Sequence, residues 1–400
     1  MRAQFDLDSR TVNLTTFLLA SHPRVVRDAV ARHARLLDRD AKRYLDRQEA
    51  AGGAEAAVRV SAARYLGVEP NELALTDSTT MGLALLYGGL RLPEGTEVVT
   101  TAHDFYSTHE SLRLRALRTG ARVRKIRLYD DPRNVSVDEV VSAVRRNVSP
   151  ATRALAITWV HSSTGVKLPV RAIADALRAI NRDRSPDERV LLCVDGVHGF
   201  GIEGATPREL GCDFLVAGCH KWLFGPRGTG VIWGAADAWK AVTPTIPTFD
   251  PRAFPPWLNG DPPPPSGIPG LPRALAMTPG GFHSFEHRWA LREAFEFRRS
   301  IGRARVADRT QRLAVALKDG LRSINRVDLI TPAGGVLSSG IVCFAVRDRD
   351  PVEIVERLYA KARVVASVTP YAARYVRFGP SMLNSLQDVE TALRAVRAVA

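Results

Sequence analysis

The sequence predicts an α/β protein whose larger unit is a mostly parallel sheet with helices on both faces, followed by a smaller C-terminal α+β unit. Three observations carry that expectation. Short, unbroken apolar runs alternate with longer amphipathic stretches from about residue 55 to residue 235. The runs are apolar throughout rather than at every second position, as strands covered on both faces should be. A chain of 400 residues with 45% hydrophobic and 24% charged residues is long enough for a large core and has the balance of a globular protein.

Taken in order, ELALT, TEVVTT, ARVRKIRL, ALAITWV, VLLCVD, FLVAG and GVIWG read as strands. Between them AAVRVSAARYL, TMGLALLYGGL, STHESLRLRALRT, VDEVVSAVRR and VRAIADALRAINR carry the apolar spacing of helices. Residues 244–281 hold 12 of the 25 prolines, with Phe249, Phe254 and Trp257 interleaved. Such aromatics anchor an irregular segment, so an ordered loop near the site or at a subunit interface is expected rather than a free linker. One long helical pattern follows, from about Phe285 to Ile324. The segment after it reads strand–helix–strand–helix: GIVCFAV, PVEIVERLYAKA, YVRFG and SLQDVETALRAVRAVA. The predicted organisation is an N-terminal arm (1–20), a large domain (21–285), and a linking helix with a small domain (286–400).

Composition excludes several classes. No run approaches the ~18 apolar residues of a membrane span, and the opening MRAQFDLDSR is charged in both senses, unlike a signal peptide. Four cysteines in so long a chain make no disulfide framework, so a reduced, cytoplasmic protein is expected. The net charge of +14 is spread along the chain as arginine, with no basic tail and no nucleic-acid motif. Attraction of anionic small molecules is the better use of it. GPRGTG lacks the lysine of a P-loop. Cys212, Cys219 and His220 lack a CxxC pair. His103, Asp104, His109 and Glu110 read as a substrate-facing loop, so no metal site is expected.

Ligands of open α/β sheets gather outside the carboxyl ends of the strands, and the informative residues fall there. Ser78, Thr79 and Thr80 stand where a strand turns into a helix, whose free N–H groups and dipole suit a phosphate. Phe105 or Tyr106 can offer a flat face to an aromatic ring, and Ser162 a hydroxyl to a phenolic oxygen. Asp195 ends a buried strand, where a carboxylate needs a cationic partner such as a ring nitrogen; His198 follows three residues later. Lys221, one of only seven lysines, lies between His220 and Trp222 at the next strand end. Singly, each has an ordinary explanation: N-capping for Ser78, an arginine salt bridge for Asp195, a solvated loop for Lys221. In this order they form a phosphate cup, a ring stacker, an acid for a ring nitrogen and an amine able to form an imine. Pyridoxal phosphate requires all four.

With those residues assembled, the chain resembles the class V aminotransferase family of fold-type I pyridoxal phosphate enzymes along nearly its whole length. TWVHSSTGVKLP and CHKWLFGPRGTG are most similar to the branch of isopenicillin N epimerase-like and cysteine desulfurase-like proteins. The resemblance implies Lys221 as the cofactor-bearing lysine, Asp195 at the pyridine nitrogen, and His198 near the phenolic oxygen. Ser78, Thr79, Thr80 and His220 would hold the phosphate. Arg377, in YVRFGPSMLNS, would bind the substrate α-carboxylate with its planar fork. Family members are homodimers with shared sites, and Thr278 in TPGGFHSFEHRWA is the residue expected from the second subunit. Two departures stand out. KARVVASVTPYAARYVR has no cysteine where desulfurases carry one, which argues against a persulfide-forming desulfurase. Gly218 stands where many relatives have a phosphate-binding serine.

The implied function is an enzyme acting at the Cα of an amino-acid-bearing small molecule in specialised metabolism, with Lys221 as general base. β-Elimination of C–S lyase type and epimerisation are the leading outcomes. Decarboxylation-linked oxidative deamination, transamination, or a non-enzymatic regulatory or structural role are the alternatives. Epimerisation needs a second acid, for which Tyr106 or His103 is the candidate.

Overall fold

Seven strands make the larger sheet: β1 (Leu73–Thr76), β2 (Glu97–Thr101), β3 (Arg122–Ile126), β4 (Thr152–Thr158), β5 (Leu191–Asp195), β6 (Phe214–Gly218) and β7 (Gly230–Gly234). In the computed structural model, which describes residues 1–50, 53–261 and 267–400, they lie in the order β1-β7-β6-β5-β4-β2-β3. Pairing is parallel from β6 through β5, β4 and β2 to β3, while β7 runs antiparallel between β1 and β6. Every residue of β1, β2, β5, β6 and β7 is buried, which is why those segments read as unbroken apolar runs. β3 is an edge, and Arg122, Arg124 and Lys125 give it the charge that keeps edges from pairing further.

The large-unit helices include α1 (Arg24–Arg39), α2 (Ala54–Leu66), α3 (Thr79–Gly89), α4 (Tyr106–Thr119), α5 (Val137–Asn147) and α6 (Val170–Ile180). Alternate strand residues feed two cores, as the two-residue period requires. On one face Leu73, Val99, Leu155, Leu192 and Leu215 pack with Val58 of α2, Val140 of α5 and Ile173 of α6. On the other, Ala74, Val98, Ala156, Cys193 and Val216 pack with Leu83 and Leu86 of α3 and Leu112 of α4.

The expected single helix over 285–324 is two: α7 (Phe285–Ile301) and α8 (Arg303–Arg322). Gly302 separates them at φ 91°, a conformation in which no helix continues. α7 gives Leu291 and Phe295 to the large core, whereas α8 gives Leu313, Leu317 and Leu321 to a separate one. That second core backs a sheet of β8 (Val327–Leu329), β9 (Val342–Val346), β10 (Ser367–Val368) and β11 (Val376–Phe378). Its order is β10-β11-β9-β8, all antiparallel, and α9 (Pro351–Ala362) and α10 (Leu386–Val399) cover it. β8 and β10 are too short to leave a periodic signal, and the sequence reading passed over both.

The first twenty residues are not a loose arm. Val12–Asn13 pairs with Val364–Val365 of the small unit, and Leu14 enters that unit's core. Three residues on, Phe17 is fully buried in the large core. The proline-rich segment is ordered in its described part: Phe249 lies over Gly280 and 6.1 Å from Phe254. The PPPPS run at 262–266 lies outside the described residues. Among the described residues no helix is long and apolar enough to cross a membrane.

Candidate active site

The loops leaving β1, β2, β4, β5 and β6 meet around a cavity of about 150 Å³. Ser78, Thr79, Thr80, Phe105, Ser162, Asp195, His198, His220, Lys221 and Arg377 all line it, with Leu18, Ser107, Thr158, Val197 and Pro370. The parallel strands explain the convergence, because every crossover returns the chain so that the carboxyl ends lie together.

At the β1 end, Ser78 caps α3 by accepting the Met81 N–H at 3.1 Å. Thr79 Oγ1 accepts the Gly218 N–H at 2.7 Å and ties the α3 N-terminus to the end of β6. Thr80 Oγ1 and Ser107 Oγ are 2.8 Å apart. The absence of a side chain at Gly218 has a local cause. A Cβ there would come 3.0 Å from His220 Cε1 and 3.1 Å from Thr79 Oγ1, so a serine would crowd both.

Lys221 opens a tight turn in which its carbonyl accepts the Phe224 N–H at 3.0 Å, with Phe224 at φ 62°. Burial pushes its ammonium down to about 8, with Asp195 opposing the fall and Arg377 adding to it. Asp195 closes β5 and accepts the Val197 N–H at 3.0 Å. Burial pushes its carboxyl up to about 6, against the pull of that bond and of Lys221, and with a further rise from Asp104. Burial also holds both histidines neutral, His220 at about 4 and His198 well below its ordinary value. His198 Nδ1 and Thr158 Oγ1 are buried without a hydrogen-bond partner among the described residues.

Arg377 reaches the cavity from β11. Its Nη1 donates to the Ser162 carbonyl at 3.0 Å and its Nε to Ser367 Oγ at 3.1 Å. The guanidinium lies 4.5 Å from the centre of the Phe17 ring. Ser162 Oγ stands 2.7 Å from the hydroxyl of Tyr371, which also meets Phe105 edge-on at 6.0 Å.

Two expectations need correction. Tyr106 is the first residue of α4 and 68% exposed; the chain turns Phe105 into the cavity instead. His103 stacks flat on Tyr129 at 3.9 Å and accepts the Leu128 N–H at 3.3 Å, away from the cavity. Thr278 lines a separate cavity of about 430 Å³ with Arg59, Phe249 and Phe282. Its hydroxyl there accepts from Arg59 Nη2 and the Leu75 N–H, both at 3.1 Å.

Sequence reasoning set Asp104 on a substrate-facing loop without its structural part, and it missed Leu18 and Tyr371 altogether. Asp104 joins the β2 and β4 ends by accepting from Thr100 Oγ1, the Thr101 N–H and the Thr158 N–H at 2.7–2.8 Å. Its place after a strand end, like that of Asp195, was the available signal. Leu18 and Tyr371 arrive from segments remote in sequence and left none.

This strand order with a cavity at its carboxyl ends is the fold of the fold-type I pyridoxal phosphate enzymes. The class-V aminotransferase family model matches residues 21–250, and the chain belongs to that family. Isopenicillin N epimerase of Streptomyces clavuligerus is 26% identical over 92% of this chain and 89% of its own length. The epimerase of Amycolatopsis lactamdurans is 27% identical over 86% and 83%. Among solved structures, a C-DES mutant with glycine covalently linked to its pyridoxal phosphate superposes with a TM-score of 0.86 at 18% identity, covering 99% of each chain. The complex of the cystine C–S lyase C-DES with its product cysteine persulfide gives 0.83 at 17% identity, over 97% and 98%.

Proposed function

We propose that this cavity holds pyridoxal phosphate and that the protein catalyses β-elimination, of C–S lyase type, from an amino-acid-bearing small molecule of specialised metabolism. The observation that carries the reading is Lys221, a buried amine that lines one cavity with Asp195 and Arg377 and whose ammonium burial destabilises. The surrounding groups fit the cofactor. Thr79 and Thr80 at the α3 N-terminus, with His220, suit the phosphate, and the bare Gly218 leaves that corner open. Asp195 suits a protonated ring nitrogen, which would offset the cost of burying its charge. Phe105 offers a ring face, and the unpartnered His198 Nδ1 and Thr158 Oγ1 are available to polar atoms of a ligand.

When bound, pyridoxal phosphate supplies an electron sink for the negative charge that develops at Cα. The chain does the rest. Arg377, fixed on two sides, turns its remaining donors to the substrate carboxylate, and Lys221 takes the Cα proton. Epimerisation needs a second group on the opposite face to return a proton to Cα, whereas elimination needs no such group there. Neither Tyr106 nor His103, the candidates for that second group, reaches the cavity, which favours elimination. The cysteines are all buried, so no exposed thiol is present in the described residues to carry sulfur as in a persulfide-forming reaction, and a reducing cytoplasm suits them. A homodimer is part of the proposal: Phe249, Trp257, Leu258 and Phe282 are exposed apolar side chains, and a second copy would cover them.

The test is the visible spectrum of the protein with added pyridoxal phosphate, then borohydride reduction and peptide mapping. A band, with cofactor fixed to the Lys221 peptide, supports the reading. Cysteine conjugates are then screened for pyruvate release. A folded protein with neither band nor adduct would sink it.

A further inference from the structure

An elimination needs a proton for the departing group, and the geometry of the small unit supplies one. Tyr371 lies on the loop between β10 and β11. Thr369 shapes that loop: its N–H donates to the Tyr375 carbonyl at 2.9 Å, and its Oγ1 donates to the Ala373 carbonyl at 3.1 Å while accepting the Tyr375 N–H at 2.9 Å. The neighbouring Pro370 lines the cavity, and the Tyr371 hydroxyl rests 2.7 Å from Ser162 Oγ. Ser162 is also the residue whose carbonyl holds Arg377. One residue thus ties the phenol to the carboxylate-binding guanidinium.

A substrate with its carboxylate on Arg377 and its Cα towards Lys221 can send its side chain towards Phe105 and Ser162, where the Tyr371 hydroxyl stands 2.7 Å from Ser162 Oγ. Of the other hydroxyls at the cavity, Ser78 caps α3, Thr79 accepts from Gly218 and Thr80 pairs with Ser107, while Thr158 Oγ1, which has no partner among the described residues, is an aliphatic alcohol and a weaker acid than a phenol. From this arrangement we infer that Tyr371 is a catalytic acid, giving its phenolic proton to the leaving group as the bond from Cβ breaks. The inference rests on the elimination reading above. Burial raises the phenol above its ordinary value, so it stays protonated across the working range and acts as a donor, not a base.

The step balances for a cysteine conjugate. Lys221 Nζ takes the Cα proton, and that C–H electron pair becomes the Cα–Cβ double bond. The Cβ–S bond breaks with its pair on sulfur, and sulfur takes the proton from Tyr371 Oη. Lys221 then releases its proton to solvent while the phenolate regains one through Ser162 Oγ. The net proton transfer is from carbon to sulfur. The unsaturated amine takes up one water to give a 2-oxo acid and ammonia, and no oxidant or reductant is consumed.

Tyr371→Phe keeps the ring against Phe105 and removes only the O–H. In this variant, release of methanethiol from S-methylcysteine is expected to fall about 100-fold or more, the scale of a lost general acid. Release of nitrothiophenol from S-nitrophenylcysteine, whose thiolate leaves unaided, should fall by less than about 5-fold, since acid assistance follows leaving-group basicity. Exchange of the Cα proton in D2O, the visible band of the cofactor-loaded protein and its thermal unfolding should match the unaltered protein. Equal slowing of both conjugates, or no slowing of either, overturns the acid assignment and leaves elimination standing. If the unaltered protein exchanges the Cα proton but releases neither thiol, the elimination reading fails and the acid assignment goes with it.

Discussion

Burial makes Lys221 a nucleophile before any cofactor arrives. An exposed lysine keeps its proton to about 10.5, but the ammonium here is lost near 8 because the cavity wall cannot solvate it. The sign of the linkage follows. Between about 8 and 10.5 the unfolded chain binds more protons at this position than the folded one, so the residue's contribution to stability rises with pH across that window. Reactivity gives the direct readout. Acylation of Lys221 in the cofactor-free protein, followed by peptide mass, is expected to reach half its maximal rate near pH 8, while exposed lysines keep rising past it. Asp195 opposes the shift, so Asp195→Asn should move the midpoint lower still. A midpoint at the ordinary lysine value would mean that the amine is solvated and the cavity more open than described. This residue was legible in the sequence because a lysine flanked by two buried strands is out of place. Phe105 over Tyr106 was not, because neighbours at a helix start differ only in which way the turn faces them.

At the scale of elements, the strand runs declared themselves because both sheet faces are covered, leaving nothing polar to interrupt them. The end of the linking helix did not. Apolar spacing continues across Gly302, and only the backbone shows the break. Gly302 is a clean place to test what sets that break. A Cβ at this position would meet nothing within 4 Å, so any cost of Gly302→Ala comes from the backbone at φ 91° alone. A side chain in that region costs about 1–3 kcal/mol. The urea midpoint should fall accordingly, with the slope unchanged and the cofactor band retained. Unaltered stability would show that α7 and α8 can join at another angle without loss, so the handover between the two cores is not fixed by this residue.

Across the whole molecule, what remained hidden was contact between distant segments. Tyr371 meets Ser162 across 209 residues of chain, and Phe17 lies under Arg377 although one opens the chain and the other nearly closes it. Neither leaves a local pattern, since only the packing of the two units against each other brings them together. The dimer proposed above would add a further contact of this kind. Trp257 is 75% exposed and Phe282 83%, with Phe249 and Leu258 also open to solvent, and large exposed apolar side chains of this kind are what a subunit contact would cover. Phe249 and Phe282 line one cavity with Thr278. If a partner covers this face, placing a charge there buries it unpaired at the contact, which is costly. Trp257→Glu combined with Phe282→Glu should therefore shift the sedimentation coefficient from dimer to monomer. Neither side chain packs into this chain's own core, so the thermal transition of the separated chain should stay cooperative. Pyridoxal phosphate retention is the second readout. Retention that falls with the dimer would mean that the partner completes the phosphate side of the cavity. A monomer that keeps its cofactor would confine the site to the residues of one chain. A double variant that sediments as the unaltered protein does would remove this face from the interface.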